Sequence, residues 1–261
     1  KILDSLKKEI KNRRLKLRLA VILVGEDPVS RIFIEKKKKA CKKIGVAFKL
    51  FRFGQEISRS LLKKEISGII KDPSNSGVVI QLPLSRKFEP EEFLNLIPPK
   101  KDVDILSGGS FKKFANGRLP ILPPTVGATS ALLKRYGIKI KSKNILIVGR
   151  GRLVGKPLAT WLKLQKAKFS IADKSTKNIS AYARKADILI SGSGQPNLIR
   201  GDMVKEGVVV IDIGSAMKDG KIVGDVDFKS VSKKASYITP VPGGVGPMTV
   251  ACLLENLVKL N

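Results

Sequence analysis

Residues 144–155 read NILIVGRGRLVG. Four apolar residues suited to a buried strand run into Gly149, Arg150 and Gly151, and a helix-forming stretch follows from Gly155 toward Lys166. A strand that breaks into glycine and restarts as a helix exposes unpaired backbone N–H groups, and bare backbone there can approach a pyrophosphate. The spacing is GxGxxxG, one residue longer than the usual dinucleotide fingerprint, so alone it is a weak signal. The next strand, Lys168 to Ala172, adds weight because it is followed by Asp173, where a ribose-reading acid belongs.

Working outward, a helix near Ile179 to Lys185 and strands over Ala186–Ser191 and Val208–Ile213 complete a small doubly wound sheet. The amino-terminal part alternates in the same way. Leu19 to Gly25 (LAVILVG) and Gly77 to Leu82 (GVVIQL) read as buried strands and Val46 to Phe53 as a third, with helices over Ser30–Ile44 and Ser58–Ile70 between them. The Pro- and Gly-rich stretch Gly108 to Pro124 reads as a linker, followed by a helix from Thr125 to Tyr136. Met248 to Leu260 is helical again. The expectation is therefore an α/β chain of two domains, the first over 1–119 joined by a carboxy-terminal helix over 245–261, the second a Rossmann-type domain over 120–244.

Composition narrows the chemistry. The 261 residues hold no histidine, which removes Ser-His-Asp triads, Cys-His dyads and His-ligated zinc. Cys41 and Cys252 lie in apolar helical patterns without metal spacing, as small buried hydrophobes of a reducing cytoplasm, and no metal is expected. No apolar run approaches the ~20 residues that cross a bilayer, and the start does not read as a signal peptide. The net charge of +29 would attract polyanions. Yet the lysines are spread through every segment and aromatic residues make up only 5%. Solvated surface is the better reading, and nucleic acid is not the expected partner.

Among the lysines one stands apart. Lys36, Lys37, Lys38 and Lys39 form a run, but at about 100° per residue Phe33, Ile34, Ala40, Cys41 and Ile44 all fall within about 60° of Lys37. Lys37 thus points along the apolar stripe of its helix, either snorkelling to the surface or buried with a lowered pKa. Gln81 ends an otherwise apolar strand, at the edge where α/β sheets present ligand-binding groups; a backbone-capping amide is the plainer alternative. Asp102 and Asp104 follow Pro98 and Pro99 in a loop, where Asp104 would bind a polar heterocycle or pair with Lys100 or Lys101. Ile238 to Val250 (ITPVPGGVGPMTV) carries three prolines and three glycines and reads as a rigid loop whose backbone can come close to a ligand.

Nine strings occur in the order and approximate spacing of one family: LAVILVGEDP, KKKKACKKIG, VVIQLPL, KDVD, VGRGRLVGKP, ADILISGSGQP, VVVIDIG, KIVGDVDF and ITPVPGGVGPMT. Over nearly its whole length the chain resembles the methylenetetrahydrofolate dehydrogenase/cyclohydrolases. The resemblance implies NADP-dependent oxidation (NAD being possible) of 5,10-methylenetetrahydrofolate to the methenyl form, and its hydrolysis to 10-formyltetrahydrofolate. It also implies a cytoplasmic homodimer, with tetrahydrofolate as the carrier of the one-carbon unit. It places the family's catalytic lysine on Lys37, its partner glutamine on Gln81 and its pterin-binding aspartate on Asp104. Phe33, Leu82, Pro242 and Gly243 fall on folate-flanking positions, and Gly149, Arg150, Gly151, Asp173, Lys174, Ser193 and Ser215 on the cofactor side.

The chain departs from the pattern at several points. Phe33 stands where tyrosine is usual, which opens the alternative of a dehydrogenase without the hydrolase step; a non-catalytic polyanion binder is the other alternative. Ile105 replaces the glycine after KDVD, Pro124 and Val126 alter the usual PCTP segment, Gly151 replaces a serine, and Ser215-Ala216 replaces Ile-Asn. Asp173-Lys174 stands where His-Ser is common. Asp173 would favour a ribose hydroxyl, whereas Arg150 and Lys174 would neutralise a 2′-phosphate.

Overall fold

The computed structural model describes residues 1–261. The chain forms two compact units, one of Lys1–Pro124 with Val250–Asn261 and one of Thr125–Thr249.

The first unit begins with helix α1 (Ile2–Asn12), strand β1 (Arg18–Val24), α2 (Pro28–Ile44), β2 (Ala47–Phe53), α3 (Arg59–Lys71) and β3 (Gly77–Ile80). The strands form a parallel sheet in the order β2-β1-β3. The central strand shows why LAVILV is apolar throughout. Leu19, Val21 and Leu23 pack against Ile34, Cys41, Ile44 and the carboxy-terminal Leu253, Leu254 and Leu257. Ala20, Ile22 and Val24 pack on the other face with Leu62, Ile66 and Phe93. A strand buried on both faces loses the polar alternation of a half-exposed one. α2 starts where the Asp27 carboxylate accepts the Ser30 N–H over 2.7 Å, with Pro28 as its first residue.

Two short helices follow, α4 (Pro90–Leu94) and α5 (Gly108–Ala115). The second corrects the expected linker over Gly108–Pro124. Ser107 accepts the Ser110 N–H over 3.2 Å as an N-cap, and Phe114 is buried. Two glycines at the head of a helix cost little there, because the first turn is held by the cap.

The second unit contains α6 (Pro124–Arg135, from Thr125 onward), β4 (Ile145–Val148), α7 (Gly155–Leu164), β5 (Phe169–Ala172), α8 (Ile179–Ala183), β6 (Ile188–Ser191) and β7 (Val209–Asp212). A hairpin of β8 (Ala216–Lys218) and β9 (Lys221–Val223), then α9 (Phe228–Val231) and β10 (Tyr237–Ile238), complete it. The sheet is parallel in the order β10-β7-β6-β4-β5. The chain reverses its direction of travel across the sheet between β5 and β6, so the carboxyl ends of β4 and β6 frame the crevice where such sheets take ligands. The last helix, α10 (Val245–Lys259), contributes its residues from Val250 to the first unit. Irregular structure in ITPVPGGVGPMTV is thus confined to Thr239–Gly244, and the second half of the string is helical. Gly246 and Pro247 lie in its first turn, where a missing N–H is harmless.

Candidate active site

In the first unit the apolar stripe of α2 carries Lys37 inward. It is 7% exposed, while Lys38 and Lys39 are exposed. Its Nζ donates to Gln81 Oε1 over 2.8 Å. Gln81 lies just past β3, and its Nε2 donates to Leu82 O over 3.0 Å, so the amide is held with its oxygen toward the lysine. The Leu82 carbonyl also accepts the Ser30 hydroxyl over 3.2 Å, tying the segment after β3 to the head of α2. Burial drives the Lys37 pKa below its ordinary value, and the carboxylate of Asp104 opposes that shift. Burial in turn pushes Asp104 up to about 6, against the pull of Lys37 and with a further push from Asp102.

The KDVD loop is built to hold Asp104 in place. Val78 N–H donates to Lys101 O over 2.9 Å, so the loop runs beside β3. Asp102 is buried and accepts the Ser107 N–H over 2.8 Å. Asn256 of α10 donates to Val103 O over 2.9 Å and to Leu122 O over 2.8 Å. Lys101 does not pair with Asp104; its ammonium donates to the carbonyls of Ile70 and Asp72 at the end of α3, over 2.7 and 2.9 Å. Lys37 is the cation whose charge acts on Asp104. Phe33 lies one turn before Lys37, half-buried, with the Lys36 ammonium 5.1 Å from its ring centroid. Cys41, one turn after, has its thiol pushed up to about 12 by burial, so it stays neutral beside the amine.

In the second unit a cavity of about 510 Å³ opens at the carboxyl ends of β4 and β6. Gly149, Arg150, Gly151, Asp173, Lys174 and Ser193 all line it; Ser215 does not. Its backbone fits a dinucleotide. Gly149 has φ +103, and a Cβ there would lie 2.7 Å from Gly192 O. A Cβ on Gly155 would lie 1.9 Å from Gly149 O, so the turn closes onto the head of α7 only with glycine at both places. A Cβ on Gly151 would meet nothing within 4 Å, which leaves that backbone open to a ligand rather than to the chain. Arg150 forms an ion pair with Asp173. The other Asp173 oxygen accepts the Ser175 hydroxyl over 2.6 Å and its N–H over 2.9 Å. These bonds, the Ser175 hydroxyl first, hold Asp173 below its ordinary pKa and therefore charged. Pro242 and Gly243 sit exposed in the turn before α10.

Ser175 and Gln195 also line the cavity; as polar loop residues they carry no periodic signal in the sequence. The buried pair Asp212 and Asp225 likewise lies outside the candidate residues named from the sequence. Asp212 did carry a signal, the one that singled out Gln81: a polar residue closing a fully apolar strand, here VVVID.

A lysine–glutamine–aspartate cluster in one α/β unit and a glycine-walled crevice in the other define a two-unit α/β protein with a dinucleotide-binding domain. Residues 1–104 match the catalytic domain, and residues 123–261 the NAD(P)-binding domain, of tetrahydrofolate dehydrogenase/cyclohydrolase. The chain belongs to that family. It is 43% identical to the bifunctional protein FolD of Nautilia profundicola over 99% of this chain and 93% of the relative. Among solved structures it is similar to the bifunctional methylenetetrahydrofolate dehydrogenase/cyclohydrolase of Campylobacter jejuni, with 42% identity, a TM-score of 0.92 and coverage of 99% and 94%. The dehydrogenase-cyclohydrolase of Trypanosoma brucei, complexed with NADP and an inhibitor, superposes with a TM-score of 0.93 at 32% identity, covering 99% and 93%.

Proposed function

We propose that this chain oxidises methylenetetrahydrofolate with NADP and hydrolyses the methenyl product to 10-formyltetrahydrofolate. The observation that carries the reading is the 2.8 Å bond from the buried Lys37 to Gln81, with the charge of Asp104 acting on the same amine. A chain retaining only the dehydrogenase step would have little use for a desolvated amine held in this way. The family relatives support both steps.

In the hydrolysis, water adds to the methenyl carbon and loses one proton; the bond from that carbon to N5 then breaks, leaving the formyl group on N10 and the second water proton on N5. Lys37, kept toward its free-amine form by burial, accepts that proton from the attacking water. Gln81 fixes the amine and orients the water. Asp104 binds the pterin ring, with Phe33 and Leu82 beside the folate. Retention of a ring at Phe33 without the hydroxyl leaves Lys37 and Gln81 as the polar groups that handle the proton.

In the oxidation, the lone pairs of the two folate nitrogens expel hydride, so no strong protein base is required and orientation supplies most of the catalysis. A bound nicotinamide cofactor would supply the hydride acceptor. Gly149 and Gly151, at the head of α7, would hold the pyrophosphate, and Ser193 would contribute from the opposite wall. Arg150 and Lys174 together outweigh the single charge of Asp173, which favours the 2′-phosphate of NADP. Ser215, outside the cavity lining, has no part in this reading. The family resemblance supports a homodimer, and two free buried cysteines suit a reducing cytoplasm.

An assay following methylenetetrahydrofolate-dependent NADP reduction, and separately the loss of methenyl absorbance without dinucleotide, tests both halves. Both signals are expected from the purified chain. Reduction without hydrolysis would establish the monofunctional alternative, and neither signal would refute the reading.

A further inference from the structure

β7 ends at Asp212, and 13 residues later Asp225 is also buried, at 3% and 0% exposure. Two carboxylates taken out of water are costly unless their oxygens are bound. Asp212 Oδ1 accepts the N–H groups of Gly214 over 2.9 Å and Asp225 over 3.2 Å, and its Oδ2 accepts Val226 N–H over 2.9 Å. The Asp212 N–H donates to Thr239 Oγ1 over 2.8 Å. Asp225 Oδ2 accepts the Ser191 hydroxyl over 2.7 Å and the Ser193 N–H over 2.6 Å, while its Oδ1 has no hydrogen-bond partner. One oxygen therefore anchors both ends of the turn Ser191–Gly192–Ser193.

That turn is a wall of the dinucleotide cavity, facing the glycine-rich turn across a gap with no slack. A Cβ on Gly192 would lie 2.3 Å from the Val154 side chain, and Gly192 O is the atom that a Cβ on Gly149 would strike. A shift of Ser191–Ser193 would move this wall against Gly149.

We propose that Asp225 is a positioning residue for the dinucleotide, its carboxylate fixing the Ser191–Ser193 turn against Gly149 while Asp212 fixes Asp225. The proposal rests on the dinucleotide reading of the second unit. Asp225 touches no ligand itself, being sealed behind the turn. A purely structural knot would instead lower stability without a selective loss of cofactor affinity.

The experiment measures the Kd of NADP for the purified full chain by calorimetry, with the melting temperature and the rate of methenyltetrahydrofolate hydrolysis without dinucleotide as controls. Asp225→Ala removes both bonds to the turn and is expected to raise Kd by about tenfold, about threefold for each bond lost. Asp225→Asn offers an oxygen in the same place and is expected to restore Kd to within about threefold of the parent. Hydrolysis should stay at the parent rate in both. A folded Asp225→Ala variant with the parent Kd would overturn the proposal, as would equal losses of affinity and hydrolysis in both variants. If Asp225→Ala does not fold, Ser191→Ala decides: a rise of about threefold is expected, and an unchanged Kd overturns the proposal. A parent chain that binds neither NADP nor NAD would refute the dinucleotide reading, before any substitution is made.

Discussion

The Arg150 guanidinium lies against the Asp173 carboxylate, whose other oxygen is already taken by Ser175. An acid that follows the second strand of such a sheet ordinarily accepts a ribose hydroxyl and selects NAD. Here it is occupied from both sides, and its charge is offset by the cation that would meet a 2′-phosphate. Asp173→Ser should therefore raise the ratio of kcat/KM for NADP over NAD by about fivefold, as removal of one surface charge near a phosphate implies. Arg150→Gln should move the ratio the other way. Initial rates with both cofactors check this, and an unchanged ratio in Arg150→Gln would remove Arg150 from cofactor selection.

In the proposed hydrolysis Asp104 is expected to set the pH range through Lys37. Burial lowers the Lys37 pKa and the Asp104 carboxylate raises it. The proposed working form is the free amine, so activity should fall as pH drops through the Lys37 pKa and the amine takes up a proton. Asp104→Asn removes the charge that favours the ammonium, and the Lys37 pKa falls further. The acid limb of kcat for hydrolysis should move to lower pH, whatever happens to KM. A limb at the parent position, or shifted upward, would separate the two residues.

Ile105 adopts φ 57, a left-handed conformation in a β-branched residue, yet it is 1% exposed. The conformation costs about 1–2 kcal/mol, while truncating a buried isoleucine to alanine loses about 2–5 kcal/mol. Packing outweighs strain. Ile105→Gly should destabilise the chain in denaturant unfolding although glycine suits the backbone better. A midpoint at or above that of the parent would show that strain dominates.

Legibility followed burial pattern. Strands β1, β3, β4 and β6 are apolar because both faces of each sheet are covered, and such runs stand out. The same pattern separated Lys37 from its neighbours, since a helix that packs on one side leaves one lysine of four facing in. The segment at Gly108 misled because helix α5 is only eight residues long and depends on a serine cap, a local hydrogen bond that outweighs glycine content. Strands of two or three residues, such as β8, β9 and β10, are too short to show any period. The bonds from Asp225 to Ser191 and Ser193 were hidden for another reason: they span 34 and 32 residues, and nothing local announces them.

Lys37→Met gives the most direct test of the account. The methionine keeps most of the apolar stem, so α2 should pack as before. Hydrolysis of methenyltetrahydrofolate should fall by orders of magnitude, and NADP-linked oxidation should fall less, since substrate nitrogens drive it. Lys38→Met and Lys39→Met, on the exposed face, should stay within a few-fold of the parent. If all three variants instead lose hydrolysis equally and modestly, the lysine run is a solvated basic face and Lys37 has no catalytic role.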